Sequence, residues 1–188
     1  MPIFNKEITF IHIPKTGGTS IENFLSSNGY SVSMLNEKID FIQINGHSPQ
    51  HCTYLELKDL GLLTEKIFTV VRPEVERTVS EFFYIKKYRP DLSSLFNTFN
   101  EFLDVFLDKN NRSLFDFHNL SNRNFLKNEK DEIDHSIEIF NYFDSSSIEK
   151  YLGISGISKY QLLKTQTGNF TLKKYQSQRI KKFFDNDN

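Results

Sequence analysis

A lysine, two glycines and three hydroxyl side chains stand together in the stretch PKTGGTS, from Pro14 to Ser20. The stretch follows an apolar, β-branched run, Ile8 to Ile13, that predicts a buried strand. A helical pattern opens after it at Thr19 or Ser20. Because the first N–H groups of a helix lack intrahelical partners and lie at the positive end of its dipole, this strand–turn–helix favours an anion. We expect a phosphate group there, held by Lys15, Thr16, Gly17, Gly18, Thr19 and Ser20.

The position of the lysine separates this loop from the ordinary P-loop of nucleotide hydrolases. In that motif the lysine follows the last glycine and directly precedes a magnesium-binding hydroxyl, whereas Lys15 precedes both glycines. Thr19 and Glu22 have the spacing of a capping box, which would start the helix. Two other interpretations stay open for the loop alone: a tight turn without a ligand, and a different kind of phosphate site.

A second strand-to-helix corner follows at Arg72. The run Lys66 to Val71, KIFTVV, has the composition of a buried parallel strand and stops at Arg72-Pro73. Pro73 suits the first position of a helix, whose pattern continues to about Tyr88. Ser80 lies on a flank of this helix away from its apolar stripe, and the Arg72 guanidinium offers planar, charge-assisted donors to a phosphate. The alternative for each residue alone is a surface ion pair or a solvated serine.

Two consecutive strand–turn–helix units predict a three-layer α/β fold with a central parallel sheet flanked by helices. Such sheets bind ligands at the carboxyl ends of their strands, where both corners would lie. The length of 188 residues corresponds to a single domain over residues 1–188. The other predicted elements are strands Phe41 to Ile44 and Ile137 to Phe143, helices Tyr54 to Leu63, Leu95 to Leu107, Ile148 to Leu152 and Leu172 to Phe184, and a loop-like stretch from Lys109 to Asp134.

PKTGGTS resembles the 5′-phosphosulfate loop of sulfotransferases, specifically the carbohydrate branch that contains the heparan and uronyl 2-O-sulfotransferases. VVRPEVERTVSEFFY resembles their 3′-phosphate element, in which a serine stands eight residues after a strand-end arginine, as Ser80 does after Arg72. The resemblance implies a P-loop-like fold that binds 3′-phosphoadenosine 5′-phosphosulfate (PAPS) and releases PAP. It implies that Lys15 stabilises the bridging oxygen while a sulfuryl group moves in line to a hydroxyl acceptor, a saccharide, without a metal.

The acceptor hydroxyl needs a base, and histidine is the natural choice near pH 7. His47 follows Gly46 and resembles the Gly-His element that supplies the base in this branch, and His51 is its rival; a structural role is the alternative for each. His47, His51 and Cys52 could also be metal ligands. Pro49 disfavours a helix there and no paired ligand set occurs elsewhere, so we expect no metal. No chemistry is predicted for the remaining histidines, His12, His118 and His135.

Composition limits the partners. The chain carries 23 basic and 24 acidic side chains, a balance that argues against a nucleic-acid partner, and its 19 Phe without Trp predict a phenylalanine-rich core. The single cysteine excludes an intrachain disulfide and fits a reducing compartment. No apolar run approaches membrane-spanning length, and Met1 to Phe10 lacks the features of a signal peptide. We therefore predict a soluble, cytoplasmic protein without a membrane partner, and the oligomeric state stays unknown.

Two other functions stay open. A nucleotide or small-molecule kinase of the P-loop type would need ATP, Mg²⁺ and a Walker-type lysine that the sequence lacks. A non-catalytic module that binds PAP or another nucleotide would keep both phosphate loops without turnover. The acceptor pocket is expected to draw on residues between Lys86 and Asp134, where no motif identifies the acceptor.

Overall fold

The computed structural model describes residues 2–4, 7–34, 47–142, 144–160 and 170–187. Within them the strands are β1 (Pro2–Phe4), β2 (Ile8–Ile11), β3 (Val32–Met34), β4 (Lys66–Val71) and β5 (Ile137–Asn141). The helices are α1 (Gly18–Ser27), α2 (Tyr54–Asp59), α3 (Glu74–Tyr88), α4 (Pro90–Ser93), α5 (Phe99–Phe106), α6 (Asn122–Leu126), α7 (Ser145–Leu152) and α8 (Lys174–Asp185). Short 3-10 helices cover Pro49–His51, Lys109–Asn111, Ser113–Phe115 and Ile157–Tyr160.

The described strands form one mixed sheet in the order β3-β1-β2-β4-β5. Strands β2, β4 and β5 are parallel, with Phe10 opposite Phe68 and Phe68 opposite Glu138. Strand β1 runs antiparallel to both β2 and β3. The α/β class and the parallel pairing of the two predicted strands are confirmed. The parallel part is small, and it is extended at one edge by an antiparallel pairing that the sequence analysis did not predict, because three-residue strands carry almost no periodic signal.

Apolar side chains pack on both faces of the parallel strands, since successive strand residues point to opposite sides. Phe10 of β2 and Phe68 of β4 stack with ring centroids 4.8 Å apart and share a core cluster with Phe24 of α1. The neighbouring Ile11 belongs to a different cluster, which includes Leu57 of α2. Burial on both faces explains why these strands have nearly continuous hydrophobic sequences.

A third core cluster joins α3, α5 and α8, and phenylalanine supplies most of it. Phe82 of α3 meets Phe99 and Phe102 of α5 with ring centroids 5.2 and 5.4 Å apart. Aromatic pairs of this kind add about 0.5–1.5 kcal/mol each beyond the area that they bury. The prediction of a phenylalanine-rich core is confirmed.

Helix boundaries differ from the predicted ones where side-chain caps act. Helix α5 begins at Phe99 rather than near Leu95, because the Thr98 hydroxyl accepts a hydrogen bond from the Glu101 N–H. The other differences are that β2 ends at Ile11 rather than Ile13, α1 begins at Gly18 rather than Thr19 or Ser20, α2 ends at Asp59 rather than Leu63, α5 ends at Phe106 rather than Leu107, β5 ends at Asn141 rather than Phe143, α7 begins at Ser145 rather than Ile148, and α8 covers Lys174–Asp185 rather than Leu172 to Phe184. The stretch from Lys109 to Asp134, predicted as loop-like, contains α6 and two short 3-10 helices. The predicted strand from Phe41 to Ile44 lies outside the described residues. None of the helices in the described part combines the length and the hydropathy needed to cross a membrane.

The capping box predicted from Thr19 and Glu22 is wrong. Helix α1 has no side-chain cap, and the Glu22 carboxylate instead lies 2.6 Å from Nδ1 of the buried His12. A buried imidazole without a partner would cost more free energy than an uncapped helix end that reaches solvent. A capping box does occur at α2, where Thr53 and Glu56 satisfy each other's backbone and side-chain groups.

Candidate phosphate-binding site

Both predicted phosphate corners lie at the same edge of the sheet. Strands β2 and β4 are parallel neighbours, so the turns that follow them meet at their carboxyl ends. There the Arg72 guanidinium donates Nη1–H to the Lys15 carbonyl oxygen at 3.5 Å. The structure thus brings together two elements that stand 57 residues apart in the chain.

The loop after β2 depends on backbone shapes that side chains restrict. Lys15 has a φ of +64° and Gly17 a φ of +90°, and only glycine adopts such values without steric cost. Gly18 opens α1, and a Cβ there would lie 2.2 Å from the His12 ring. A Cβ on Gly17 would have nothing within 4 Å, so the outer side of this loop is open. An anion can therefore approach the backbone at the start of α1 closely.

The three hydroxyl groups of the loop differ in access. Thr16 is 1% exposed, and its hydroxyl donates to the Ile13 carbonyl oxygen at 2.8 Å, which braces the turn. Thr19 is exposed and Ser20 is half-buried on the first turn of α1. A phosphate at the helix N-terminus can therefore reach the hydroxyls of Thr19 and Ser20 directly, but that of Thr16 only after its present hydrogen bond breaks.

The Lys15 ammonium group faces helix α3. Its Nζ lies 3.7 Å from the centroid of the Tyr84 ring, a cation–π contact. Burial lowers the pKa of Lys15, the Glu81 carboxylate opposes this change, and the positive charge of Arg72 adds to it. A partly desolvated ammonium interacts more strongly with an anion than one in bulk water, because the local dielectric constant is lower.

A buried carboxylate on α3, Glu81, interacts with both Lys15 and a histidine. It is 2% exposed, and its Oε2 lies 2.9 Å from Nδ1 of His118. Burial alone would raise the pKa of Glu81, but the charges of His118, Lys15 and Arg77 together lower it. The carboxylate therefore stays ionised and balances the cations around it.

The side chain of Arg77 fastens the phosphate loop to the segment that precedes α6. Its Nε donates to the Pro14 carbonyl at 3.0 Å, Nη1 donates to the Leu120 carbonyl at 3.2 Å and to Asn122 Oδ1 at 2.9 Å, and Nη2 donates to the His118 carbonyl at 3.2 Å. Arg77 is 2% exposed, and burial lowers its pKa to about 10. These four hydrogen bonds position the loop backbone directly before Lys15.

The two residues of the predicted 3′-phosphate element differ in exposure. The Arg72 side chain is 21% exposed, lies beside the Glu76 carboxylate at 3.3 Å and covers the Tyr142 ring at 4.5 Å. Ser80 is 4% exposed on the inward side of α3. The guanidinium can therefore turn to an incoming phosphate, whereas Ser80 can meet one only on the inner side of the helix.

The histidine predicted as the base is held from both sides. His47 is 2% exposed, with Nε2 3.0 Å from the Glu56 carboxylate and Nδ1 2.9 Å from the Ser48 carbonyl oxygen. Burial lowers the pKa of His47, but the hydrogen bonds to Glu56 and Ser48 outweigh it and raise the pKa above its usual value. Because each ring nitrogen faces an acceptor, neither is available to a substrate hydroxyl in this arrangement.

The rival histidine lies closer to the phosphate loop. His51 places Nδ1 3.2 Å from the His12 carbonyl oxygen and Nε2 3.2 Å from Nε2 of His118. Through His118 and Glu81 it is connected to the surroundings of Lys15. Cys52, which the sequence placed beside His51 as an alternative metal ligand, is instead fully buried in an apolar cluster, and burial raises its pKa to about 11.

The sequence analysis missed Glu81, Tyr84 and His118. Glu81 and Tyr84 follow Arg77 at the spacing of one helix face, so a polar flank on α3 was readable in principle. His118 lies in a segment without periodicity, and its contacts with α3 could not be inferred from local spacing. Comparisons of the chain with protein-family models, with curated proteins and with solved structures give no significant match.

Proposed function

We propose that the protein is a sulfotransferase that moves a sulfuryl group from PAPS to a hydroxyl of a saccharide. The observation that carries the proposal is the contact between Arg72 and Lys15, because a nucleoside with phosphates at both its 5′ and 3′ positions can then meet both corners. The proposed fold is the three-layer, P-loop-like arrangement, and the apolar packing on both faces of the parallel strands supports it. The saccharide and the cytoplasmic location stay predictions from the sequence.

The two strand-to-helix corners, after β2 and after β4, have different roles in the proposed reaction. The backbone of Gly17 and Gly18 with the hydroxyls of Thr19 and Ser20 binds the 5′-phosphosulfate, and Thr16 braces their turn. Arg72 and Ser80 bind the 3′-phosphate. The acceptor oxygen bonds to sulfur as the bond from sulfur to the bridging oxygen breaks, and the acceptor proton passes to a base. Lys15 stabilises the negative charge that grows on the departing 5′-phosphate, and no metal is needed for this step.

The base in the proposed reaction is His47, with His51 as its rival. His47 can take a proton only after one of its contacts with Glu56 or Ser48 breaks. If it is the base, His47→Gln abolishes transfer while PAP binding is retained. If it is structural, the same variant loses stability but keeps a measurable turnover number.

The decisive experiment is a thermal-shift panel with PAP, PAPS, AMP and ATP with Mg²⁺. A ligand at 100 times its Kd stabilises the folded state by about 2.7 kcal/mol, which is about 5–10 °C in Tm for a chain of this size. We expect PAP and PAPS to produce this shift and AMP to produce less. Arg72→Ala should remove the preference for PAP over AMP, because the 3′-phosphate loses its partner. Lys15→Ala should abolish transfer with a smaller loss of PAP binding.

A matched control is Lys87→Ala, which removes an exposed lysine from the end of the same helix, α3. It should leave the PAP shift and the PAP preference unchanged. A larger shift with ATP and Mg²⁺ than with PAP would refute the proposal in favour of a kinase. Wild-type protein that binds PAP but transfers no sulfuryl group to any saccharide tested would favour the binding module.

A further inference from the structure

Three side chains from two distant segments meet next to Glu81. His51 ends the short helix Pro49–His51, while Asp116 and His118 belong to the turn after Ser113–Phe115. The Nε2 atoms of the two histidines are 3.2 Å apart, and a carboxylate oxygen of Asp116 lies 3.7 Å from Nε2 of His51. The three candidate ligand atoms, one from each residue, all lie within 4.8 Å of one another.

The hydrogen-bonding groups around the two rings determine which nitrogens carry protons. Nδ1 of His51 faces the carbonyl oxygen of His12 at 3.2 Å, and Nδ1 of His118 lies 2.9 Å from Oε2 of the Glu81 carboxylate. Both neighbours only accept, so each Nδ1 is favoured as the protonated nitrogen. Each Nε2 then presents a lone pair to the other, and Asp116 adds a third acceptor. In this tautomer three acceptors face one another, and a cation between them would satisfy all three.

We infer that His51, Asp116 and His118 form a binding site for a divalent transition-metal ion of the Zn²⁺ type. With metal–nitrogen bonds of about 2.0–2.1 Å, a separation of 3.2 Å between the Nε2 atoms corresponds to an angle at the metal of about 100°, close to tetrahedral. The 3.7 Å separation between His51 and Asp116 corresponds to about 130°, which a small movement of the half-buried carboxylate reduces. Two imidazoles and one carboxylate are a common ligand set for such ions.

The surrounding groups match those that orient metal ligands in proteins. Ligating histidines usually donate their second N–H to a carboxylate or a backbone carbonyl. The His12 carbonyl has this place beside Nδ1 of His51, and Oε2 of Glu81 lies 2.9 Å from Nδ1 of His118 without the alignment of a hydrogen bond. The Ser48 hydroxyl donates to the Asp116 carboxylate at 2.7 Å and fixes its orientation. The Asp116 side chain is 33% exposed, so an ion can enter from that side and keep one position open to solvent.

An ion at this site would join segments that are 67 residues apart, between His51 and His118. It would hold the Glu81 partner of Lys15 in place without touching the proposed phosphate site, so the inference does not depend on the proposed function. It departs from the sequence-based expectation of no metal. Spacing alone could not suggest this set, because two of the three ligands lie in the stretch without periodicity.

The test uses the wild-type chain loaded with Zn²⁺ or Co²⁺ after chelator treatment and dialysis. We expect one Zn²⁺ per chain by elemental analysis, a rise in Tm with Zn²⁺ that a chelator reverses, and visible d–d absorption of bound Co²⁺ typical of four-coordinate geometry. Asp116→Asn, the ligand substitution at the most exposed position, should weaken Zn²⁺ binding by about 100-fold or more, since removing an outer partner alone already costs about 10–100-fold. His118→Gln should do the same.

The matched control is His135→Gln, because His135 is exposed and lies outside the cluster; its Zn²⁺ affinity should equal that of the wild type. Equal weakening in His135→Gln, or unchanged binding in Asp116→Asn and His118→Gln, would refute the site. The inference would also be overturned by folded wild-type protein that binds neither ion, since a proton on His118 would then be the cation between the rings. The wild-type Co²⁺ spectrum decides the question even if a variant fails to fold.

Discussion

Replacing Gly18 by alanine tests how tightly the phosphate loop is packed against β2. In an open helix, alanine would stabilise by up to about 1 kcal/mol over glycine. Here the new Cβ would lie 2.2 Å from the His12 ring, where an ordinary contact begins at 3.4 Å, so the ring must move by about 1.2 Å. His12 is held by Glu22 at 2.6 Å and by Gln50 at 3.1 Å, and moving it disturbs both contacts.

The expected cost combines two terms. Overpacking a dense interior costs about 1–3 kcal/mol, and losing a hydrogen bond to a charged group costs about 1.5–3 kcal/mol. After the gain in helix propensity, we expect Gly18→Ala to lower the free energy of unfolding by about 2–4 kcal/mol. Urea unfolding followed by circular dichroism measures this change.

Matched variants separate the clash from other causes. Gly17→Ala meets no atom within 4 Å and suffers only from its φ of +90°, so it should cost about 1–2 kcal/mol. In a His12→Ala background the clash is gone, and Gly18→Ala should then cost nothing or stabilise. If Gly18→Ala destabilises equally in both backgrounds, or is neutral in the wild type, the close approach of the two residues is not the reason for glycine at this position.

Three further changes have defined outcomes. Cys52 is fully buried with its pKa raised to about 11, so a disulfide reagent at pH 8 should label it only after unfolding; rapid labelling of native protein would contradict this. The pKa of His47 is raised above its usual value of 6.5, so its stabilising effect is fully present below pH 6.5 and is lost as pH rises through the higher folded value. The stability difference between wild type and His47→Gln, from unfolding curves at a series of pH values, should therefore shrink above pH 6.5, and a difference that grows with pH would refute the assignment. Arg77→Met should cost about 3–5 kcal/mol in urea unfolding, because it leaves four acceptor oxygens without their charged donor; Arg77→Lys should recover little of this, since lysine lacks the planar set of donors, and wild-type stability in Arg77→Met would contradict the role of the four hydrogen bonds.

The sequence was sufficient for the two corners because their signals are local. Strand β4 has the predicted bounds, Lys66–Val71, since a β-branched run that ends at Arg72-Pro73 needs no distant information. The turn after β2 was located from two glycines and a lysine in the same way. The predicted capping box failed because Glu22 has a stronger partner in His12.

The environment of the corners was not predictable because contacts between distant segments create it. Arg77 donates hydrogen bonds to the Pro14 carbonyl, 63 residues before it in the sequence, and to the Leu120 carbonyl, 43 residues after it. Residues 109–134 carry no helical or strand periodicity, so nothing local indicated that His118 would approach Glu81. The contact of His47 with Glu56 could not be predicted for the same reason, since Glu56 belongs to helix α2.

The charges at the sheet edge are arranged as a ligand site would require. Burial lowers the pKa of Lys15, and the positive charge of the nearby Arg72 lowers it further. Holding like charges together in a partly desolvated place costs free energy in the absence of an anion. Glu81 near Lys15 and Glu76 beside Arg72 offset part of that cost, while the outer side, at the exposed Gly17 and Thr19, stays open. A bound phosphate would favour the charged form of Lys15 and attract both cations at once, which is the role that we propose for this pairing.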